Sequence, residues 1–99
     1  MNVTIIGSGN MARGIGNRLV AGGNSVRILD RDQEKADALA VELRDLAQNG
    51  TEVAIGSFGD QIESEVVVLA VPYEAVESIA QQYGSGLSGK VVVDITNPV

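Results

Sequence analysis

The chain contains no cysteine and no histidine. The first absence excludes disulfides, thiolate metal sites and thiol nucleophiles. The second removes imidazole metal ligands and the most common acid–base catalyst. Aromatic residues are scarce: one phenylalanine, two tyrosines and no tryptophan. The core is therefore aliphatic, built from Val, Ile, Leu and Ala. Basic residues are also few, 7 against 13 acidic, for a net charge of −6. That balance argues against nucleic-acid binding by phosphate neutralisation. The longest purely apolar run, Val66 to Val71, is too short to cross a bilayer. The N-terminus has no basic segment followed by an apolar one, so no signal peptide is read and a cytoplasmic location is expected.

What is present is glycine, 12 residues in a chain of 99. A length of this order makes one domain. The opening "NVTII", 2–6, reads as a short buried strand. A helix is expected from Asn10, as N-cap, to about Gly22, with Met11, Ile15, Leu19 and Val20 at helical spacing. "NSVRIL", 24–29, reads as the second strand. Asp32 then caps a long helix with the apolar stripe Ala36, Leu39, Ala40, Leu43, Leu46 and Ala47. Asn49-Gly50 is its expected stop.

"TEVAI", 51–55, reads as a third strand, and one helical turn is expected near Asp60 to Glu63. "EVVVLAV", 65–71, has the continuous apolarity of a strand buried on both faces. Pro72 opens a helix with Val76, Ile79, Ala80 and Tyr83 on one side. After a loop at 84–89, "KVVVDI", 90–95, is the last strand. Strands alternating with helices imply an α/β fold of Rossmann type. The expectation is a doubly wound parallel sheet of five strands in order 3-2-1-4-5, with helices on both faces.

Gly7, Gly9 and Ala12 form G-x-G-x-x-A between the first strand and the first helix. In that context the pattern is a dinucleotide fingerprint. Gly7 permits the tight turn, Gly9 lets a pyrophosphate approach the backbone, and Ala12 lets the helix sit close to the strand. The N–H groups of the first helical turn would face the phosphates. Gly16, one turn after Ala12, is expected to serve close packing. Gly14 either keeps the helix surface bare beside the ligand or is neutral.

An acid is expected at the end of the second strand, about 20 residues further on. Asp30 fits, and a carboxylate there favours NAD by accepting from the ribose hydroxyls. Arg31 follows, and a guanidinium there favours NADP by binding a 2′-phosphate. A surface acid capping the next turn and a solvated arginine are the bland alternatives. Ligands of open α/β sheets lie beyond the carboxyl ends of the strands. Ala70, Val71 and Pro72, with Asn97 and Pro98, are therefore placed to touch the ribose and nicotinamide. Tyr73 and Asp94 are the only acid–base candidates nearby. Neither is assigned a catalytic role, and no metal ligands are read.

"GSGNMARGIG", "LDRDQEKADALA", "VVVLAVPYEAV" and "KVVVDITNPV" together resemble the cofactor domain of the deazaflavin-dependent NADP oxidoreductases, which use coenzyme F420. Ferric reductases and pyrroline-carboxylate reductases share the pattern more loosely. The resemblance implies pyrophosphate contacts at Ser8, Gly9, Asn10 and Met11. It also implies NADP through Arg31, although Asp30 stands where the family usually has serine. The proline at position 72 matches the family's nicotinamide side. Family members add further structure after the fifth strand, forming much of the deazaflavin pocket. The expectation is that residues 1–99 are an NAD(P)-binding domain whose C-terminal partner is missing, and that the chain alone is inactive. Two alternatives remain: a stand-alone nucleotide-binding or sensing module, which allows a homodimer through an uncovered edge, and the cofactor domain of a pyrroline-carboxylate or imine reductase.

Overall fold

Val3, Thr4, Ile5 and Ile6 are all buried along the first strand, β1 (Asn2–Ile6), in a computed structural model that describes residues 1–47 and 50–95. Side chains alternate across a strand. Val3 and Ile5 thus enter one apolar core and Ile6 enters a second. A strand buried on both faces belongs in the middle of a sheet. β1 pairs in parallel with β2 (Ser25–Asp30) on one side and β4 (Val66–Leu69) on the other. β3 (Val53–Ser57) and β5 (Val91–Asp94) form the edges, and the order is β3-β2-β1-β4-β5. This is the doubly wound arrangement expected from the sequence.

The first core lies under α1 (Asn10–Ala21) and α2 (Gln33–Leu46). The second lies under α3 (Val76–Tyr83), where Ile79 and Tyr83 pack with Ile6, Leu29, Val67 and Leu69. Asp32 caps α2 as expected, accepting from the Lys35 N–H at 3.2 Å. Gly16 brings α1 against α2. A Cβ added there would stand 2.9 Å from Leu43 Cδ1 and 3.7 Å from Ile5 Cδ1. Packing is therefore the reason for this glycine, whereas the equivalent position on Gly14 faces open space.

Several elements differ from expectation for physical reasons. Gly9, not Asn10, is the N-cap of α1, and Asn10 is the first helical residue. Of the expected α2 stripe, Ala36, Leu39, Ala40 and Leu43 are buried and Ala47 packs half-buried against the same core, whereas Leu46 is 48% exposed at the helix terminus. β3 lies two residues later than read, because its register is set by β2, with Val26 opposite Val53 and Leu29 opposite Gly56. Gly56 suits that position, where a Cβ would stand 2.7 Å from Leu29 Cδ2. No helical turn forms near Asp60. Instead, Asp60 closes a reverse turn by donating its N–H to the Ser57 carbonyl (3.0 Å) and accepting the Ser57 N–H on Oδ2 (2.8 Å). After Pro72 the chain makes a 3-10 turn, Tyr73–Ala75, before α3 starts, and Ala80 is exposed. A second 3-10 turn, Gly84–Leu87, replaces the expected loop. Asn49 lies outside the described residues, while Gly50 has φ +84.

Leu43 is fully buried between α1, α2 and the sheet. Leu43→Ala is expected to cost about 2–5 kcal/mol of folding free energy. Urea denaturation should show a lower midpoint with an unchanged slope.

Candidate functional site

The crevice of this sheet opens where the chain leaves β1 and β4. A cleft of about 190 Å³ lies there, with Ile6, Leu29 and Ile79 among its lining side chains. Gly7, Asp30, Arg31, Phe58 and Val71 also line it.

Gly7 sits where β1 and β4 exit side by side. Its N–H donates to the Leu29 carbonyl (2.9 Å), and the Ala70 N–H donates to the Ile6 carbonyl (2.9 Å). Its φ is +115, in the region that favours glycine. A Cβ on Gly7 would collide with the Ala70 carbonyl oxygen. No other residue type fits this turn.

Gly9 differs. Its φ of −83 and ψ of −161 are open to any residue, and a Cβ there would meet nothing within 4 Å. Backbone geometry therefore does not require glycine at this position. A bare backbone does suit the approach of a ligand from solvent. Behind it, Ala12 is fully buried, and Gly9 accepts the first intrahelical bond from the Arg13 N–H (3.0 Å). The N–H groups of Asn10, Met11 and Ala12 precede that bond and have no intrahelical acceptor. No side chain caps α1 and no acid lies in its first turn. The helix dipole makes such an end attractive to an anion.

Asp30 ends β2, and both its carboxylate oxygens accept hydrogen bonds from the chain itself. Ser8 Oγ donates to Oδ2 (2.5 Å) and the Asp32 N–H donates to Oδ1 (2.9 Å). Gln33 Nε2 bridges the Asp30 carbonyl (2.7 Å) and the Gly56 carbonyl (3.0 Å). Asp30 is thus a brace between the β1–α1 turn and the start of α2. The turn-capping alternative from the sequence is part of what it does.

Arg31 is exposed and has no ion pair among the described residues. Its guanidinium lies over the Phe58 ring, with Cζ 4.5 Å from the centroid. Phe58 in turn meets Tyr83 edge to face, centroids 5.4 Å apart at 85°. The Tyr83 hydroxyl accepts the Gly59 N–H at 2.7 Å. No motif announces Phe58. Its only signal in the sequence is that it is the sole phenylalanine of the chain.

Of the other sequence-derived residues, Ser8 and Met11 are half-buried on either side of the exposed Gly9 and Asn10. Ala70 is buried against Gly7, Val71 lines the cleft, and Pro72 is exposed beside it. Asp94 is exposed at the end of β5. Asn97 and Pro98 lie outside the described residues.

The model of the family described as NADP oxidoreductase, coenzyme F420-dependent, matches residues 2–98. The F420-dependent NADP reductase of Methanocaldococcus jannaschii is 35% identical over 104 residues, covering 100% of this chain and 46% of that protein. That of Methanothermobacter marburgensis is 29% identical over 102 residues, with the same coverage of 100% and 46%. A solved structure of a proposed F420-dependent NADP-reductase from Arthrobacter sp. FB24 superposes with TM-score 0.79 at 25% identity, covering 99% of this chain and 46% of that one. The chain spans about half the length of these relatives, 46% in each case. With the fingerprint turn, the 3-2-1-4-5 sheet and a match over residues 2–98, the chain belongs to the coenzyme F420-dependent NADP oxidoreductase family.

Proposed function

We propose that residues 1–99 form the NADP(H)-binding domain of an oxidoreductase that moves hydride between NADP(H) and a deazaflavin coenzyme. One observation carries this reading: an open glycine turn precedes a cleft that also holds a guanidinium with no acidic partner among the described residues. Gly9 is bare at the start of α1, and Gly7, two residues before it, lines one cleft with Arg31, which follows β2.

In this reading the pyrophosphate rests on Gly9 and takes N–H groups of Asn10 and Met11, with Ser8 lining the turn. Asp30 holds that turn to β2 through Ser8 Oγ. Arg31 offers in-plane N–H donors to the 2′-phosphate, a charge-assisted interaction that NAD cannot make. The Asp30 carboxylate opposes that phosphate, but its two oxygens already accept from Ser8 and Asp32. We therefore assign NADP over NAD.

Ala70, Val71 and Pro72 form the nicotinamide side, joined by Asn97 and Pro98 through their place after the last strand. When bound, the nicotinamide cofactor would supply the hydride chemistry, NADPH as donor or NADP+ as acceptor. The chain's task is to bind, orient and shield it, which needs no histidine or cysteine. Binding of the deazaflavin is assigned to the part of the relatives that this chain does not match.

At a hundredfold excess over Kd, NADPH should stabilise the fold by about 2.7 kcal/mol. In a domain of this size that raises Tm by roughly 10 °C or more. A thermal melt that does not move at millimolar NADPH or NADH would sink the binding reading. Gly9→Ala should change stability by less than about 1 kcal/mol yet weaken NADPH at least about tenfold, because the methyl group occupies the phosphate approach. Calorimetric titration of the folded variant checks both.

Arg31→Ala should weaken NADPH by about tenfold to a hundredfold, the worth of a charged hydrogen-bonding contact, and NADH by much less. Asp30→Asn keeps acceptors and donors for Ser8 and Asp32 while removing the charge, so it should tighten NADPH and leave NADH nearly unchanged. Parallel shifts for both cofactors in these variants would remove the pair from specificity.

A further inference from the structure

Phe58 belongs to no part of the dinucleotide fingerprint, yet its ring lies in the same cleft as Gly7 and Arg31. Its position is over-determined. Tyr83, buried on α3, meets its ring edge to face. The same tyrosine's hydroxyl takes the N–H of Gly59, the next residue in the chain. The turn from Ser57 to Asp60 is closed by its own backbone bond and by the Asp60 carboxylate. The Phe58 ring is therefore a fixed shelf rather than a mobile surface side chain.

Arg31 lies on that shelf. An exposed arginine has many rotamers to give up when it is fixed on a ligand. Holding it in place before a ligand arrives removes part of that cost from binding. A ring under one face of a guanidinium leaves the in-plane N–H donors open. Those are the donors that a phosphate takes in bidentate fashion.

We infer that Phe58 is a positioning residue for recognition of the 2′-phosphate: its ring holds the Arg31 guanidinium in place at the adenosine end of the cleft. The inference rests on the dinucleotide reading above and deepens it. It assigns cofactor choice to three layers, Tyr83, Phe58 and Arg31, drawn from α3, the β3 exit and the β2 exit. A core-filling role alone would make Phe58 matter to stability and not to the difference between two cofactors.

NADPH and NADH differ by the 2′-phosphate and serve as the probes. Each is titrated calorimetrically into the unaltered chain and into Phe58→Leu, Arg31→Ala and the double variant, with Phe58→Met as a second ring-less variant and Phe58→Tyr as the conservative one. Phe58→Leu and Phe58→Met should each weaken NADPH about fivefold and NADH less than about twofold. Phe58→Tyr should keep the NADPH-to-NADH ratio. In the Arg31→Ala background, Phe58→Leu should leave that ratio unchanged, since no guanidinium remains to be held. The inference is overturned if the ring-less variants weaken both cofactors equally, or if Phe58→Leu lowers the ratio even without Arg31. Failure of the unaltered chain to bind either cofactor overturns the dinucleotide reading itself. Binding of both cofactors with a ratio indifferent to Phe58 overturns only the inference.

Discussion

The contact between Gly7 and the Ala70 carbonyl is the constraint on which the rest of the site depends. Two adjacent parallel strands end side by side, and the chain must leave each toward a different face of the sheet. At that point the backbone of one exit touches the backbone of the other. Only a residue without Cβ, at positive φ, permits it. Once Gly7 turns there, Gly9 is set at the start of α1, Ala12 and Gly16 draw the helix onto the sheet and α2, and the cleft opens above Ile6 and Leu29. A site made this way costs little new architecture. It is the gap that the sheet's own winding leaves, finished by a small number of side chains.

The two glycines of the turn thus answer to different demands. Gly7 answers to the fold, because any side chain there meets the neighbouring strand. Gly9 does not answer to the fold in this way, because its backbone is ordinary and no atom of the described residues would lie within 4 Å of a Cβ there. Asp30 shows a similar division within one residue. Its carboxylate ties Ser8 and the Asp32 N–H together, so that the β1–α1 turn and the start of α2 are joined. The neighbouring arginine is held differently, by the face of a ring rather than by an opposite charge. That arrangement keeps its positive charge unneutralised and directed.

The sheet order and most element positions were legible in the sequence because apolar periodicity and glycine turns are local signals. Val66 to Val71 announced a central strand, and Asp32 announced a helix start. The parts that were not legible depend on neighbours far away in the chain. The start of β3 is set by hydrogen bonds to β2, so "TEVAI" alone could not reveal a register that begins at Val53. Leu46 and Ala80 fit the helical stripes of their sequences, but their helices leave them outside the packed faces. In the site, the residues of the fingerprint, Gly7, Gly9 and Ala12, were readable by spacing. Phe58 was not, because its relation to Arg31 and Tyr83 exists only after three separate segments have met.

The division of the interior into two cores bears on how the chain is made. Synthesis delivers β1, α1, β2, α2 and β3 first, and these elements contain most of the first core. The second core needs Ile62, β4 and α3. Until those residues have emerged, Ile6 and Leu29, which end fully buried, present an apolar face with nothing on it. Parallel pairing of β1 with β4 also joins residues far apart in sequence, a contact that forms late. The nascent chain therefore passes through a half-built stage with one finished side and one adhesive side. The surface that becomes the floor of the cofactor cleft is the same surface that is unprotected while the protein is being synthesised.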